Sequence, residues 1–541
     1  MGNRNNSNAR GPRPDGSRGR LAGGVGGVMS AGALFSVAEL FAAFFGPQAS
    51  PLTSVGAAFI DFTPAWMKNF AVATFGTQDK TVLLLSMAVA VIILSAAAGV
   101  LSRIRFAAGG ALVAVFATVM AGSIITRAGA TVPDLVPLLA GTVAGLWALR
   151  YLATAHPFRK QAPAGGGPAH AAPPLAAPDP ALPAAPSRRT FLLRSAAVAG
   201  AAVVLGLGGA ALSGARNTAL KVRQALRLPG PKTAAPALPA DVQAPVAGVT
   251  PFITPNADFY RIDTALVVPR LDPGPWRLRV HGMVENEFTM GFDELLAAEL
   301  VESYVTLTCV SNVVGGNLAG NAKWLGYPLR EVMARARPTA GADMVLSTSA
   351  DGFSASTPLP VLQDHRDAML AIGMNGEPLP LEHGFPVRMV VPGLYGFVSA
   401  TKWVVDLEVT TFARKAGYWT SRGWSSHGTI KTASRVEVPR ALARVPAGTV
   451  GIGGSAWAQR RGISKVEIQL DNGAWRAATL AAGASVDTWR QWSYQWHGAT
   501  EGLHNVRVRA YDMDGTLQTE KQAPPEPDGS TGWHSITFTV V

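Results

Sequence analysis

Cysteine is almost absent from this 541-residue chain, which carries one, Cys309. A single cysteine excludes a disulfide scaffold, haem attachment through C-x-x-C-H and a cysteine-ligated iron–sulfur cluster, so no haem or iron–sulfur cluster is expected in this chain. Charge is scarce as well. Asp, Glu, Lys and Arg make up 15% of the residues, where a wholly soluble protein carries about a quarter, so part of the chain is expected in lipid. Acidic residues are the scarcer sign, 35 against 47 basic, for a formal net charge of +12. Much of that excess lies in short clusters beside apolar runs, which is how membrane topology is written, and no nucleic-acid partner is expected. The 48% apolar content excludes disorder throughout.

Residues 1–20 hold five arginines and one aspartate among Asn, Gly and Ser, a basic disordered tail. From 21 to 155 there are ten charged residues, and four apolar runs lie between them, at 21–46, 81–102, 106–126 and 132–154. Each is near the ~20 residues that cross a bilayer core. The stretch 52–76 is apolar too, but Pro51, Asp61, Pro64 and Lys68 break it. It reads as an interfacial or partly re-entrant loop, with a further span as the alternative. Arg103 and Arg105 fill the short turn between the second and third runs, which puts that turn and the N-terminus in the cytoplasm. Glu39, inside the first run, is read as a neutral bundle-facing carboxyl, with an ion path as the alternative. No run contains histidine, so haem held by paired imidazoles is excluded there.

An Ala/Pro linker covers 156–186. Ser187-Arg188-Arg189-Thr190-Phe191-Leu192 follows, ahead of an Ala/Gly-rich apolar run at 195–213. The string resembles a twin-arginine translocation signal, a route that suits cargo already folded around a cofactor; two arginines anchoring an ordinary span is the alternative. With 187–215 retained as a fifth span, residues 216–541 lie outside the cytoplasm. The expected location is the cell membrane, multi-pass, with the catalytic domain on the extracytoplasmic face.

The remainder reads as an α+β domain at 240–437 and a β-sandwich at 438–541. Strand-like runs at 276–280, 304–307, 344–347 and 388–391 mix with helical patterns at 292–298 and 329–336. Short alternating strands at 449–457, 464–470, 505–511 and 533–540 are parted by turns such as Asp471-Asn472-Gly473. The fold class is therefore multi-domain: an N-terminal α-helical membrane bundle, an α+β domain and a β-sandwich.

Cys309 ends a strand-like run, Thr306-Leu307-Thr308-Cys309-Val310-Ser311-Asn312, and opens a Gly-rich loop containing Gly315-Gly316 and Gly320-Asn321-Ala322-Lys323-Trp324. A lone cysteine is commonly a small buried apolar residue. In an oxidising compartment a free thiol also invites occupation, and a thiolate is a soft metal ligand. One thiolate without clustered His or carboxylates makes no complete protein site, so the rest of the coordination must come from a cofactor.

These residues resemble the sulfite oxidase family of molybdopterin enzymes. Cys309 and Asn312 fall in its T-L-x-C-x-x-N pattern. His383-Gly384-Phe385-Pro386-Val387-Arg388, then Val391-Pro392-Gly393, Tyr395-Gly396 and Lys402-Trp403, match its H-G-x-P-x-R…P-G…G…K-W block. The segment 430–438 matches the lead into its C-terminal immunoglobulin-like domain. The resemblance implies a molybdenum–molybdopterin cofactor, with Cys309 as the molybdenum ligand and His383, Arg388 and Lys402 at the pterin phosphate; surface salt bridges are the alternative for these three. It places polar residues near Asn256–Arg261, so Asn256 is a cofactor-binding candidate and Arg261 a candidate for holding a substrate oxyanion or, alternatively, a structural residue. The chain departs from sulfite oxidases where Val313-Val314 follow Asn312 in place of paired arginines, and where Trp424 aligns with their active-site tyrosine. Both departures remove anion donors.

The expected function is oxygen-atom transfer to or from a small sulfoxide-like or sulfite-like substrate. Electrons require an outside partner, a redox protein or a quinone. The rival is a non-catalytic, membrane-anchored adhesion or assembly protein that keeps the fold without the cofactor.

Overall fold

The structure is a computed structural model that describes residues 16–45, 49–64, 67, 74, 79–127, 130–154, 188–215 and 218–541. The basic tail over 1–15, the linker at 156–186, Ser187 and most of 65–78 lie outside the described residues. The chain divides into two compact units at Arg216.

In the first unit α1 is Gly16–Ala42, α2 Pro51–Phe62, α3 Asp79–Ile104, α4 Phe106–Ile125, α5 Val136–Thr154 and α6 Arg188–Ala215. Among the described residues five segments are long and apolar enough to cross a membrane: Arg20–Ala42, Thr81–Ile104, Phe106–Ile125, Val132–Thr154 and Arg189–Gly209. α2 has 12 residues, ~18 Å at 1.5 Å per residue, too short to span a bilayer. The segment expected to be interfacial is thus helical over its first part. α1 is the hub, packing on α3, α5 and α6. Small residues allow this: Gly27 and Gly99 bring the α1 and α3 backbones so close that neither position has room for a Cβ. Ser30 Oγ on α1 donates to the Gly145 carbonyl on α5 at 2.7 Å. Glu39 accepts a 2.6 Å bond from Ser50 Oγ, the N-cap of α2, so its carboxyl has a local polar partner.

The second unit begins with α7, Thr218–Ala225. Its first ten strands are β1 Arg277–Gly282, β2 Phe288–Gly291, β3 Val301–Thr308, β4 Ala319–Pro328, β5 Met344–Ser349, β6 Ser354–Pro358, β7 Met369–Met374, β8 Glu377–Pro378, β9 Arg388–Val390 and β10 Val404–Thr410. Helices α8 Phe292–Leu296, α9 Leu329–Ala336 and α10 Leu359–Gln363 lie among them. One sheet runs β2-β1-β10-β5-β6; the other runs β3-β4-β7-β8, with β9 also on β7. β7 is buried at every position, so it reads as a continuous apolar run rather than an alternating one.

Nine further strands follow: β11 Ala433–Val438, β12 Arg444–Val445, β13 Gly448–Trp457, β14 Ile463–Leu470, β15 Trp475–Ala477, β16 Thr479–Leu480, β17 Arg490–Ala499, β18 Gly502–Asp512 and β19 His534–Val540. They form sheets β11-β13-β17-β16 and β12-β19-β18-β14-β15. Ile452 and Trp492 from one sheet share a core with Val466, Val508 and Phe538 from the other, the two-layer arrangement that alternating strands require.

The Gly-rich loop that Cys309 opens ends before residue 319, because residues 319–328 are β4. The glycine there has a packing reason. A Cβ on Gly320 would lie 2.7 Å from the Phe259 ring, so this position of the strand must be bare.

Candidate active site

β3 is buried over its last four residues and delivers Cys309 at its end. Cys309 N donates to Leu318 O at 2.9 Å and so closes the loop 309–318. Leu318 N donates to the Asn312 side chain at 2.9 Å, which staples the loop internally. Cys309 lines a cavity of about 120 Å³ that opens to solvent.

The polar wall comes from one stretch of chain. His383 ends a 3-10 turn, Arg388 opens β9 and Lys402 precedes β10. Gly384 lies between them at φ 110°, and a Cβ there would sit 2.9 Å from the Arg388 Cβ and 3.1 Å from that of Lys402. Glycine therefore lets the two cations approach the same space.

Arg388 is 5% exposed. Its guanidinium donates at 3.2 Å to the His383 carbonyl and at 3.4 Å to that of Met389, and its Cζ lies 5.1 Å from the Trp324 ring centroid. It has no carboxylate partner among the ion pairs of the described residues. Burial lowers its pKa to about 10, which leaves it charged at neutral pH. Lys402 donates to Asp263 at 2.6 Å and to the Glu382 carbonyl at 3.0 Å. Burial brings its pKa down to about 8, against the opposing pull of Asp263.

His383 is pushed down to about 4, first by burial and then by Arg388 and Lys402, so it is neutral at pH 7. Its Nε2 lies 3.1 Å from the Asn256 carbonyl. A carbonyl only accepts, so Nε2 holds the ring proton and Nδ1 is an acceptor. The expectation of three cationic donors is thereby reduced to two.

Burial pushes the Cys309 thiol up, against hydrogen bonds from Ser311. A bound metal cation reverses that preference outright. Tyr260, also lining the cavity, is raised by burial and by Cys309.

A second wall is aromatic. Phe353, Phe397, Trp419 and Trp424 line the cavity, and their rings form a chain. Phe397 lies 5.8 Å from Trp424, Trp424 5.9 Å from Trp419, and Tyr418 bridges Trp419 to Phe353 at 5.1 and 5.9 Å. Ile262 and Asp351 also line the cavity.

Of the residues picked out in the sequence, Cys309, His383, Arg388, Lys402 and Trp424 line this cavity. Asn256, Asn312 and Arg261 are not on its lining. Asn256 Oδ1 accepts from Asn375 at 2.8 Å, and its carbonyl orients His383. Arg261 Nε donates to Asp263 at 2.9 Å, and its side chain is 38% exposed. The i, i+2 spacing of Arg261 and Asp263, which puts both on one side of an extended chain, was the signal for that pairing. Val313 and Val314 line a separate, smaller crevice with Asn312. Sequence reasoning missed Ile262, Phe353, Phe397 and Asp351. Isolated apolar residues and a loop aspartate carry no spacing signal.

The fit to a molybdopterin cofactor rests on Arg388. A buried guanidinium without a counterion costs several kcal/mol, and an anionic group in the cavity relieves that cost. Cys309 supplies a soft ligand to the same space. Comparison with known proteins agrees. Residues 265–419 match the family model described as the oxidoreductase molybdopterin binding domain. The chain is 33% identical over 232 residues to the protein-methionine-sulfoxide reductase catalytic subunit MsrP of Burkholderia mallei, covering 39% of this chain and 66% of that protein. It is 31% identical over 157 residues to the uncharacterized oxidoreductase YuiH of Bacillus subtilis, covering 29% of this chain and 76% of that protein. With mitochondrial sulfite oxidase of Rattus norvegicus it shares 28% identity over 341 residues, covering 54% of this chain and 62% of that protein, so it spans about three fifths of that relative's length. The chain belongs to the sulfite oxidase family of molybdopterin oxidoreductases.

Proposed function

We propose that this protein is a membrane-anchored, exported oxidoreductase that transfers an oxygen atom between a molybdenum centre and an organic S-oxide, with the S-oxide reduced to a thioether. The observation that carries this reading is the cavity itself, which joins Cys309 and the unpaired Arg388 to an aromatic wall.

When bound, the molybdenum–molybdopterin group supplies two-electron chemistry and accepts or gives up the oxygen. Cys309 would hold the metal. Arg388 and Lys402 would neutralise the pterin phosphate, and neutral His383, fixed by the Asn256 carbonyl, would accept a hydrogen bond at Nδ1. Phe353, Phe397, Trp419 and Trp424 would seat the organic part of the substrate and exclude water. Reduction of an S-oxide consumes two electrons and two protons and yields a thioether and water, so an electron donor is required; a redox protein or a quinol suits the role. Sulfite is disfavoured because Arg388 contributes the one guanidinium on the cavity lining. Arg261 is engaged by Asp263.

The five apolar segments support anchoring, and Arg103 and Arg105 between the second and third favour a cytoplasmic N-terminus. Arg188 and Arg189 begin α6, as a twin-arginine signal leading into its apolar segment does. The paired C-terminal sheets suit an immunoglobulin-like domain. The rival adhesion reading leaves Arg388 buried, charged and unneutralised for no structural gain.

Metal and pterin analysis of the purified full-length protein tests the proposal. Stoichiometric molybdenum with a pterin is expected. Protein isolated without either, from cells that load their other molybdenum enzymes, would overturn it.

A further inference from the structure

The loop that carries Cys309 is gripped from outside its own sheet. Within the loop one backbone pair, Cys309 with Leu318, and the Asn312 staple fix its base. Three residues of the C-terminal sheets and their connections fix its outer side.

Arg435, on β11, is 5% exposed. Its Nη1 donates to the Gly316 carbonyl at 2.9 Å, and its Nε donates to Glu437 at 2.8 Å. Glu437 is itself held by Ser455 Oγ and by Thr250 N, each at 2.6 Å. The rings of Trp457 and Trp489 flank the guanidinium at 5.8 and 5.5 Å. Ser530 Oγ donates to the Asn312 carbonyl at 2.6 Å.

His534, which opens β19, accepts a 3.0 Å bond from Val436 N at Nδ1. Its ring fills the space that a Cβ on Gly315 would need, and Gly315 adopts φ 76°. The strand feeding the loop is held as well. Trp489 N donates to Thr306 Oγ1 at 2.7 Å, and Gln459 donates to the Thr306 carbonyl at 2.7 Å.

A metal ligand has to be held to within about 0.5 Å of its working position, by neighbours that are themselves fixed. Arg435 meets that condition through Glu437 and two flanking indole rings, and His534 through Val436 N. We infer that the C-terminal sheet pair is the clamp that positions Cys309. Arg435 and His534 are the positioning residues, and Gly315 is the position that lets the imidazole reach the loop. The geometry stands by itself; only the consequence for turnover rests on Cys309 being the metal ligand.

The test combines hydrogen–deuterium exchange of the peptide covering 309–318 with steady-state kinetics, on the full-length, cofactor-loaded protein. Arg435→Met is expected to speed exchange of the loop amides about tenfold, the size of one lost hydrogen bond to a charged group. It is expected to lower kcat by a similar factor while KM stays within about twofold, since the substrate wall is untouched. Arg435→Lys restores part of both effects, because an ammonium lacks the fork that reaches Glu437 and Gly316 together. Ser530→Ala, which removes only the Asn312 contact, gives a smaller change in the same direction and serves if Arg435→Met does not fold. Unchanged loop exchange in both Arg435→Met and Ser530→Ala overturns the inference, and so does an increase spread equally over all strands of the unit. Faster loop exchange with an unaltered kcat leaves the clamp standing and removes Cys309 from the chemistry.

Discussion

On one wall of the cavity a guanidinium, an ammonium and a neutral imidazole converge; on the other, Phe353, Phe397, Trp419 and Trp424 present linked rings. The polar wall is assembled from twenty consecutive residues, 383–402, folded around Gly384. The aromatic wall takes Phe397 from that same stretch and Phe353, Trp419 and Trp424 from outside it. The first is a compact anion cradle whose electrostatic cost is left open for a ligand to offset. The second is an apolar surface already packed upon itself. The contrast separates holding a cofactor from choosing a substrate, and the two roles break under different substitutions.

The largest effect is expected at the junction of the walls. Cys309→Ser should lower kcat by more than the ~10–100-fold that loss of an outer partner of a metal site costs. The melting temperature of the cofactor-free protein should stay nearly unchanged, because Ser is of similar volume. Metal analysis, circular dichroism and kinetics on one preparation check this.

Arg388→Met should produce effects of opposite sign. Replacing a buried charge that lacks a carboxylate partner with an apolar side chain removes its desolvation cost, so the cofactor-free variant should melt higher than its parent. The same variant should retain less molybdenum on dialysis. If Arg388→Met melts lower, the guanidinium has a structural counterion and the two walls differ less than proposed.

A smaller effect follows from Lys402, whose pKa is lowered to about 8. The ammonium that attracts an anion is present below that pH and is lost as pH rises through it. Inorganic phosphate should therefore bind the cofactor-free cavity more weakly at pH 9 than at pH 7, by less than tenfold, with Arg388 sustaining the rest. Isothermal titration at the two pH values checks the sign.

The polar wall was legible in the sequence because its parts are short, linked blocks: Cys309 in its strand-to-loop string, and His383, Arg388 and Lys402 within twenty residues. The long apolar helices were legible too, since length and scarce charge are properties of single segments. The aromatic wall was legible only at Trp424. Ile262, Phe353 and Phe397 reach the cavity through tertiary packing, which no local period encodes. Arg261 was read from its neighbourhood as an oxyanion holder or a structural residue; it is paired with Asp263 and is not on the cavity lining. β4 was hidden because Gly320 serves the Phe259 ring rather than a turn. The clamp on Cys309 was invisible for the same reason, as Arg435, Ser530 and His534 meet the loop across more than a hundred residues of sequence.

The most direct test of the account is a comparison of kcat/KM for sulfite oxidation with kcat/KM for reduction of organic sulfoxides, on one preparation of the cofactor-loaded, full-length protein. A hydrogen bond to a charged group is worth roughly 1.5–3 kcal/mol, so a cavity whose one lining guanidinium, Arg388, is taken up by the cofactor should hold sulfite at least about tenfold below a sulfoxide that fills the aromatic wall. Sulfoxide turnover exceeding sulfite turnover by that margin is the predicted result. A sulfite value near the diffusion-limited range, with sulfoxides untouched, would contradict the account and return an anion-binding role to Arg261 or another basic residue.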